Sequence, residues 1–187
     1  MKIEIFKKIF KYDEEKNEFL LEMSLNNFSE VFDEWDGSII RKKDLDPELV
    51  DYLIEAVTEL PSKAKIGISF RLHKKHRDTK LEEITKAVFI NYFTFQIHLK
   101  NRQIYRLLKR AITYLILGFT FILFAYNLEN KTTEILFDVL SEGLFIGGWV
   151  FVWESISLLF FKMKSVKNIT KKYNKIINSR IYFNYSE

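Results

Sequence analysis

The chain has 187 residues, of which 29% are charged, and its formal net charge at pH 7 is +4. A typical domain has about 100–200 residues, so this length predicts one folded domain plus an attachment. The sequence contains no cysteine, which excludes disulfides, thiolate zinc sites and cysteine nucleophiles.

The N-terminal part carries one ambiguous segment and one strand signal. Residues 1–10 fit either a first strand or a basic amphipathic helix, and no apolar stretch of the signal-peptide type follows them. We therefore expect the N-terminus to stay in the cytosol. The stretch EFLLEMSLN (18–26) places Leu21, Met23 and Leu25 on one face, which predicts a β-strand.

The stretch DLDPELVDYLIEAVTELP (44–61) predicts a helix with defined ends. Asp46 can cap the N-terminus, Pro47 fits the first helical position and Pro61 ends the helix. The next stretch, KIGISFRL (65–72), alternates apolar with polar or small residues and predicts a half-buried strand. The apolar stripe of the helix comprises Leu49, Leu53, Ile54, Val57 and Leu60.

A basic stretch with two histidines, RLHKKH (71–76), follows this strand. Two histidines three residues apart can bind a metal, but no third ligand is evident, so we expect no metal site and no cofactor. Arg71 and His76 also have the R-x4-H spacing of certain ribonucleases, but those are all-helical proteins, and here the spacing crosses a strand end and a loop. The stretch is interpreted either as a solvated basic loop or as a contact for a phosphate-bearing ligand. The candidate ligand-binding residues are Arg71, His73, Lys74, Lys75 and His76.

A long helix is predicted next. Thr79 and Glu82 have the spacing of a capping box, and nothing breaks the helical pattern before residue 110. The helix should therefore continue into the following apolar segment as a single helix of about 50 residues. Its apolar positions are Leu81, Ile84, Val88, Tyr92, Phe95 and Leu99.

Two apolar segments are long enough to cross a bilayer. The first, residues 111–128, has 18 uncharged residues. As a helix it would measure about 27 Å, close to the hydrocarbon core of about 30 Å. The second, from Gly143 to Phe161, is interrupted only by Glu154. Two buried core helices of a soluble protein are the alternative interpretation.

The charges around these segments favour a membrane. Lysine and arginine precede the first segment and follow the second, whereas residues 129–142 carry four acidic residues and one lysine. Because basic residues are retained on the cytoplasmic side, both termini should be cytosolic and the acidic loop external, in a bacterial inner membrane. Basic residues so close to the spans are better explained by anionic lipid than by nucleic acid, and we expect no specific nucleic-acid partner.

Glu154 is expected to contact protein or water, because a charged side chain in a span is costly to expose to lipid. At about 100° per residue, Glu154 falls on the same helix face as Gly143 and Gly147, where small residues allow another helix to approach. Two roles stay open. Glu154 could tie this helix to the first span through Thr113, Thr120 or Tyr114, or it could line a polar path in an oligomer. The predicted transmembrane contact residues are Glu154, Gly143, Gly147 and Gly148.

The segment after the spans predicts a basic helix followed by a strand at residues 179–185. The predicted fold is therefore an α+β membrane protein: a two-helix transmembrane hairpin with a small cytosolic α+β domain built from residues before and after it. The predicted boundaries are 1–110 for the cytosolic domain with its stalk helix, 111–162 for the hairpin, and 163–187 for the helix and strand that complete the domain.

Two stretches, DLDPELVDYL from Asp44 and IGGWV-x-x-WE at residues 146–154, resemble a group of poorly characterised prokaryotic two-transmembrane proteins. These include the 2TMβ-type membrane effectors of nucleotide-signalling anti-phage defence. The resemblance implies a soluble domain that senses a cyclic nucleotide and a membrane domain that compromises the bilayer. No ligand motif of that group matches here, so no ligand residue is carried over.

Three functions are compatible with the sequence. The first is a non-enzymatic, ligand-gated membrane effector that works as a homo-oligomer, since two spans cannot enclose a pore alone. The second is a passive anchor or scaffold for a cytosolic partner protein. The third is a membrane enzyme, and it is disfavoured because the sequence contains no glycine-rich phosphate loop, no G-x-S-x-G and no HExxH.

Overall fold

The structure is a computed structural model of the chain, and it describes residues 2–37, 43–129 and 135–186. The helices are α1 (Lys2–Ile9), α2 (Pro47–Glu59), α3 (Thr79–Glu129), α4 (Ile135–Ser157) and α5 (Met163–Ile177). The strands are β1 (Lys11–Asp13), β2 (Glu18–Ser24), β3 (Lys65–His73) and β4 (Arg180–Ser186). Short 3-10 turns occupy Phe28–Val31 and Lys74–His76, and a π-helical turn, Leu158–Lys162, joins α4 to α5.

The chain divides into two compact units. The sheet unit comprises Met1–His98 with Thr170–Glu187, and the helical unit comprises Leu99–Ile169. The fold class is α+β, with two long apolar helices and a small four-stranded sheet, as the sequence predicts.

The sheet has the order β1-β2-β3-β4. β1 is antiparallel to β2, whereas β2, β3 and β4 are mutually parallel. The three predicted strands are present, and β4 joins a sheet whose other strands precede the apolar helices. β1 was not predicted, and the ambiguous N-terminal segment is the helix α1.

β3 is buried on both faces from Ile66 to Phe70, so the prediction of a half-buried strand was wrong. Small residues on its second face allow neighbouring side chains to cover it. A Cβ atom at Gly67 would lie 2.9 Å from both Leu20 Cδ2 and Tyr182 Cε2. The other face packs Ile68 and Phe70 into the hydrophobic core, where both are fully buried.

Aromatic rings connect the sheet to two helices of the sheet unit. Phe70 of β3 stacks on Phe183 of β4 with ring centroids 5.5 Å apart, and it contacts Phe89 of α3 at 5.7 Å. Phe93 of α3 in turn contacts Tyr173 of α5 at 5.6 Å. Large rings contribute strongly to core energetics, so these contacts hold α3 and α5 against the strands.

α2 has the predicted ends. The Asp46 carboxylate accepts a hydrogen bond from the Leu49 amide at 2.9 Å, Pro47 opens the helix, and Leu60 follows its last residue. Most of the predicted stripe is buried, and Val50 and Ala56 are buried beside it.

The start of α3 differs from the prediction. Asp78, not Thr79, caps the helix, because the Asp78 carboxylate accepts hydrogen bonds from the amides of Lys80 (2.9 Å) and Leu81 (3.2 Å). Glu82, the expected reciprocal partner, instead accepts a hydrogen bond from the Tyr185 hydroxyl at 2.6 Å. The capping-box prediction was therefore wrong, because a neighbouring carboxylate competes for the same amides.

The buried face of α3 is also shifted from the predicted stripe. Phe95 is 57% exposed, whereas Phe89 and Phe93, which the stripe omitted, are buried. This face is buried because Phe89 packs against Phe70 of β3 and Phe93 packs against Tyr173 of α5. The prediction that the helix runs unbroken into the apolar segment is confirmed, because α3 spans 51 residues.

Two stretches of helix are long and apolar enough to cross a membrane, Thr79–Leu128 and Ile135–Ile177, judged by length and composition. In each, only 17% of the most apolar 18-residue window is buried, whereas a core helix of a soluble protein would be mostly buried. The second stretch starts earlier than predicted, since Ile135 to Glu142 of the expected acidic loop are helical. Residues 130–134 of that loop lie outside the described residues.

Candidate ligand pocket and interhelical contact

The residues of the predicted basic loop fall into two groups: some make contacts within the protein, and others line a cavity. The Arg71 guanidinium pairs with Glu22 at 3.6 Å, and the His73 Nδ1 atom accepts a hydrogen bond from the Lys75 amide at 3.2 Å. Neither Arg71 nor His73 is among the side chains that line the cavity of His76, so that cavity does not hold the R-x4-H pair or the histidine pair. In the described part of the chain, no group of three or more His, Asp or Glu side chains could hold a metal ion.

The end of this loop forms part of the wall of a cavity of about 490 Å³. Of the five predicted ligand residues, Lys75 and His76 line it. The remaining lining comes from the segment after β2, from Lys43 and from the start of α3. The lining residues are Asn27, Phe28, Ser29, Phe32, Lys43, Lys75, His76, Arg77, Asp78 and Leu81.

The position of the cavity follows from the sheet topology. β2 and β3 are parallel, and the lining segments 27–32 and 75–78 follow their carboxyl ends. In open α/β sheets, ligands bind in the crevice outside the carboxyl ends of parallel strands, because the chain leaves the sheet there in loops. We call this cavity the carboxyl-edge pocket.

The carboxyl-edge pocket has a cationic rim. Lys43, Lys75 and Arg77 contribute three positive charges, and the carboxylate of Asp78 is engaged in capping α3. Among the described residues, no ion pair involves any of the three cations. The Asp78 carboxylate offsets one of these three charges, so an anionic ligand would still meet net positive charge at this rim.

Arg77 also connects the rim to β4. Its guanidinium lies over the Tyr185 ring, 5.8 Å from the centroid, which is a cation–π geometry. Burial, together with the hydrogen bond to Glu82, raises the pKa of the Tyr185 hydroxyl, so it stays a neutral donor to that carboxylate. The contact with the Tyr185 ring places Arg77 beside the end of β4.

The floor of the pocket is apolar. Phe28 and Phe32 are 5% and 4% exposed, and Leu81 adds an aliphatic surface. A cationic rim above an apolar floor suits a ligand that joins an anionic group to an apolar or aromatic body. Neither phenylalanine stands in a local motif that marks it as a ligand contact, whereas Arg77 directly continues the basic run.

α3 and α4 approach each other closely at Gly148 of α4. A Cβ atom there would lie 2.6 Å from Ile122 Cγ1 and 2.9 Å from the Gly118 carbonyl oxygen of α3. Of the predicted contact residues, Gly147 would place a Cβ 3.7 Å from Phe121, and Gly143 has nothing within 4 Å. Gly118 was missed, although it is the lone glycine of the first apolar segment.

Other contacts support the same helix pair. The buried Ser155 hydroxyl donates to the Ala111 carbonyl at 2.8 Å, and the Phe151 ring lies 5.5 Å from Phe121. Ala111 near the start of the first apolar segment contacts Ser155 near the end of the second, so the two helices run antiparallel. A buried hydroxyl that reaches a main-chain carbonyl across two helices fixes their register.

Glu154 has a partner that the sequence did not suggest. Lys162 donates to its carboxylate at 3.0 Å. The hydroxyls of Thr113 and Thr120, which were considered as partners, donate to carbonyls of their own helix at 3.0 and 2.8 Å. The described contacts therefore join Glu154 to the π-helical turn that follows its own helix.

The π-helical turn explains how residues eight apart can pair. In an α-helix, eight residues at about 100° each leave the two side chains about 80° apart. A π turn accommodates one extra residue, which reduces the offset to about 20° and places Lys162 below Glu154. The pairing can neutralise the Glu154 carboxylate without a contribution from a second helix.

Comparisons of the chain with protein-family models, curated proteins and solved structures find no match. The functional conclusion therefore depends on the two sites themselves.

Proposed function

We propose that the chain is a membrane-anchored, non-enzymatic effector. In this proposal the apolar parts of α3 and α4 form a transmembrane hairpin with both termini in the cytosol. The sheet unit binds a phosphate-bearing ligand such as a cyclic nucleotide. Ligand binding controls an oligomeric bundle of hairpins that perturbs the membrane, and the resemblance to defence effectors suggests phage infection as the setting.

One observation carries this proposal: the helix that lines the carboxyl-edge pocket is also the first candidate span. Leu81 lies in the pocket and in the first turn of α3, and α3 continues without a break to Glu129. A ligand that binds the pocket would contact the start of a helix whose far end is apolar enough to cross a bilayer. A continuous helix is a physical route for coupling between such sites.

The choice of a phosphate-bearing ligand follows from the chemistry of the rim. Arginine binds phosphate oxygens in a planar fork and lysine acts as a point charge, and both types are present at Arg77, Lys43 and Lys75. The apolar floor would accommodate the body of the ligand.

The membrane assignment is supported by exposure and by charge. The apolar windows of both helices are mostly exposed within the single chain, so lipid or further copies of the chain would have to cover them. The ion pair between Glu154 and Lys162 lowers the cost of a carboxylate in the second span.

Expression in bacteria tests the proposal. We expect the wild-type chain to collapse the membrane potential and to admit an impermeant dye. Lys75→Gln combined with Arg77→Gln should reduce dye uptake several-fold at equal abundance in the membrane, because the rim loses two of three cations. The matched control is Lys80→Gln, an exposed lysine on the first turn of α3 that does not line the pocket.

The outcome separates the effector from the alternative. Dye uptake that is lost in the double variant and kept in Lys80→Gln supports the effector. Unchanged permeability with a well-expressed wild-type chain, both with and without candidate cyclic nucleotides, would instead identify a passive anchor or scaffold.

A further inference from the structure

A second basic cavity lies at the opposite edge of the sheet. It has a volume of about 390 Å³ and is lined where β2, β3 and β4 begin and α5 ends. Four cations come from four separate segments: Lys16 from the turn before β2, Lys65 from the start of β3, Lys175 from α5 and Arg180 from the start of β4. We call this cavity the amino-edge pocket, and it shares no residue with the carboxyl-edge pocket.

The positive charge of the amino-edge pocket is only partly compensated. Its one carboxylate, Glu18, is 3% exposed and accepts a hydrogen bond from the Tyr182 hydroxyl at 2.6 Å. Lys16 pairs with Asp13 at 3.5 Å. In the described ranges no ion pair involves Lys65, Lys175 or Arg180, so the cations outnumber the carboxylates.

Lys175 is held in place without an acidic partner. Its side chain is half-buried, and its ammonium group donates to the Pro61 carbonyl oxygen at 2.9 Å. A lysine loses considerable side-chain entropy when it is fixed, and a carbonyl compensates its charge only in part. A ligand that supplies further acceptors would satisfy the donors that the Pro61 carbonyl leaves open.

We propose that the amino-edge pocket binds a small soluble polyanion of the polyphosphate class. Like charges gathered around one cavity repel one another, and a multivalent anion converts this repulsion into attraction. The volume is at the lower end of the range for small-molecule sites, which suits a compact di- or triphosphate. Asn178 adds a side-chain amide that can donate to a phosphate oxygen.

Calorimetric titration of the full-length chain in neutral detergent with inorganic pyrophosphate tests this site. We expect saturable binding, and a Kd raised at least tenfold by Lys65→Gln combined with Arg180→Gln. The matched control is Lys63→Gln, which changes an exposed lysine two residues away that does not line the pocket. No saturable binding, or a Kd that both variants leave equal, would overturn the proposal.

A measurement on the wild-type chain avoids any dependence on variant folding. Acetylation of lysine side chains, read by mass spectrometry, should slow at Lys65 when pyrophosphate is added and stay unchanged at Lys63. Equal protection of both lysines would contradict a defined site.

The site is independent of the proposed function. Binding heat that survives Lys75→Gln with Arg77→Gln and is lost in Lys65→Gln with Arg180→Gln belongs to the amino-edge pocket, because the first pair removes two of the three cations of the other pocket. Failure of this titration would therefore leave the proposed effector function standing. Failure of the permeability test would likewise leave the amino-edge site standing.

Discussion

Gly148→Ala is expected to lower the free energy of unfolding of the helical unit by about 1–3 kcal/mol, the usual cost of inserting a methyl group into a packed contact. The added Cβ would lie 2.6 Å from Ile122 Cγ1 and 2.9 Å from the main-chain oxygen of Gly118. Because one obstacle is backbone, a rotamer change cannot relieve it, and the helices must move apart. Reversible unfolding in detergent micelles measures the loss.

The control is Gly143→Ala, five residues earlier on the same helix. Nothing lies within 4 Å of a Cβ atom there, and alanine favours a helix over glycine by about 1 kcal/mol. We expect this variant to be neutral or more stable. Equal destabilisation by both substitutions would mean that the Gly118–Gly148 contact does not hold the helices together.

Under the proposed membrane insertion, Lys162→Met is expected to destabilise the chain by about 2–3 kcal/mol, because it leaves the Glu154 carboxylate without its cation in an apolar environment. In water an exposed pair of this kind contributes only about 0–1 kcal/mol. The larger value depends on the low dielectric of the bilayer. The measurement is unfolding free energy in bilayer-like nanodiscs or bicelles.

A double-mutant cycle isolates the pair. Glu154→Gln combined with Lys162→Met should restore most of the stability lost in Lys162→Met alone, because no unpaired charge is left. Lys164→Met, which changes an exposed lysine in α5 with no ion pair to Glu154, serves as the control. Additive costs in the cycle would show that the carboxylate does not depend on Lys162.

Local signals predicted the secondary structure well. The N-cap at Asp46, the proline after it and the strand alternations depend on residues close together in sequence, so they could be identified without the fold. Even there, local competition produced an error: Asp78 and Thr79 both suit a helix cap, and the sequence alone did not show which one accepts the amides.

The candidate sites depended on tertiary structure and were predicted only in part. Lys75 and His76 were proposed as ligand contacts, but Phe28 and Lys43 reach the same cavity from segments that are distant in sequence. The parallel pairing of β2 and β3 brings these segments together, and no short motif encodes that pairing.

The partner of Glu154 was missed for a geometric reason. Lys162 lies eight residues away, a spacing that does not share a face in a regular α-helix. The π-helical turn changes the phase and makes the pair possible. A π turn in an otherwise apolar helix leaves no clear signature in the sequence.

Dye release from liposomes tests most directly whether the carboxyl-edge pocket controls the membrane. The purified full-length chain is reconstituted into liposomes loaded with a self-quenched dye, and cyclic mononucleotides and cyclic dinucleotides are added in turn. We predict saturable release with at least one of them, and its loss in the Lys75→Gln and Arg77→Gln variant but not in Lys80→Gln. No release from inserted wild-type protein with any of these nucleotides, or equal release from the pocket variant, would contradict ligand control of the membrane.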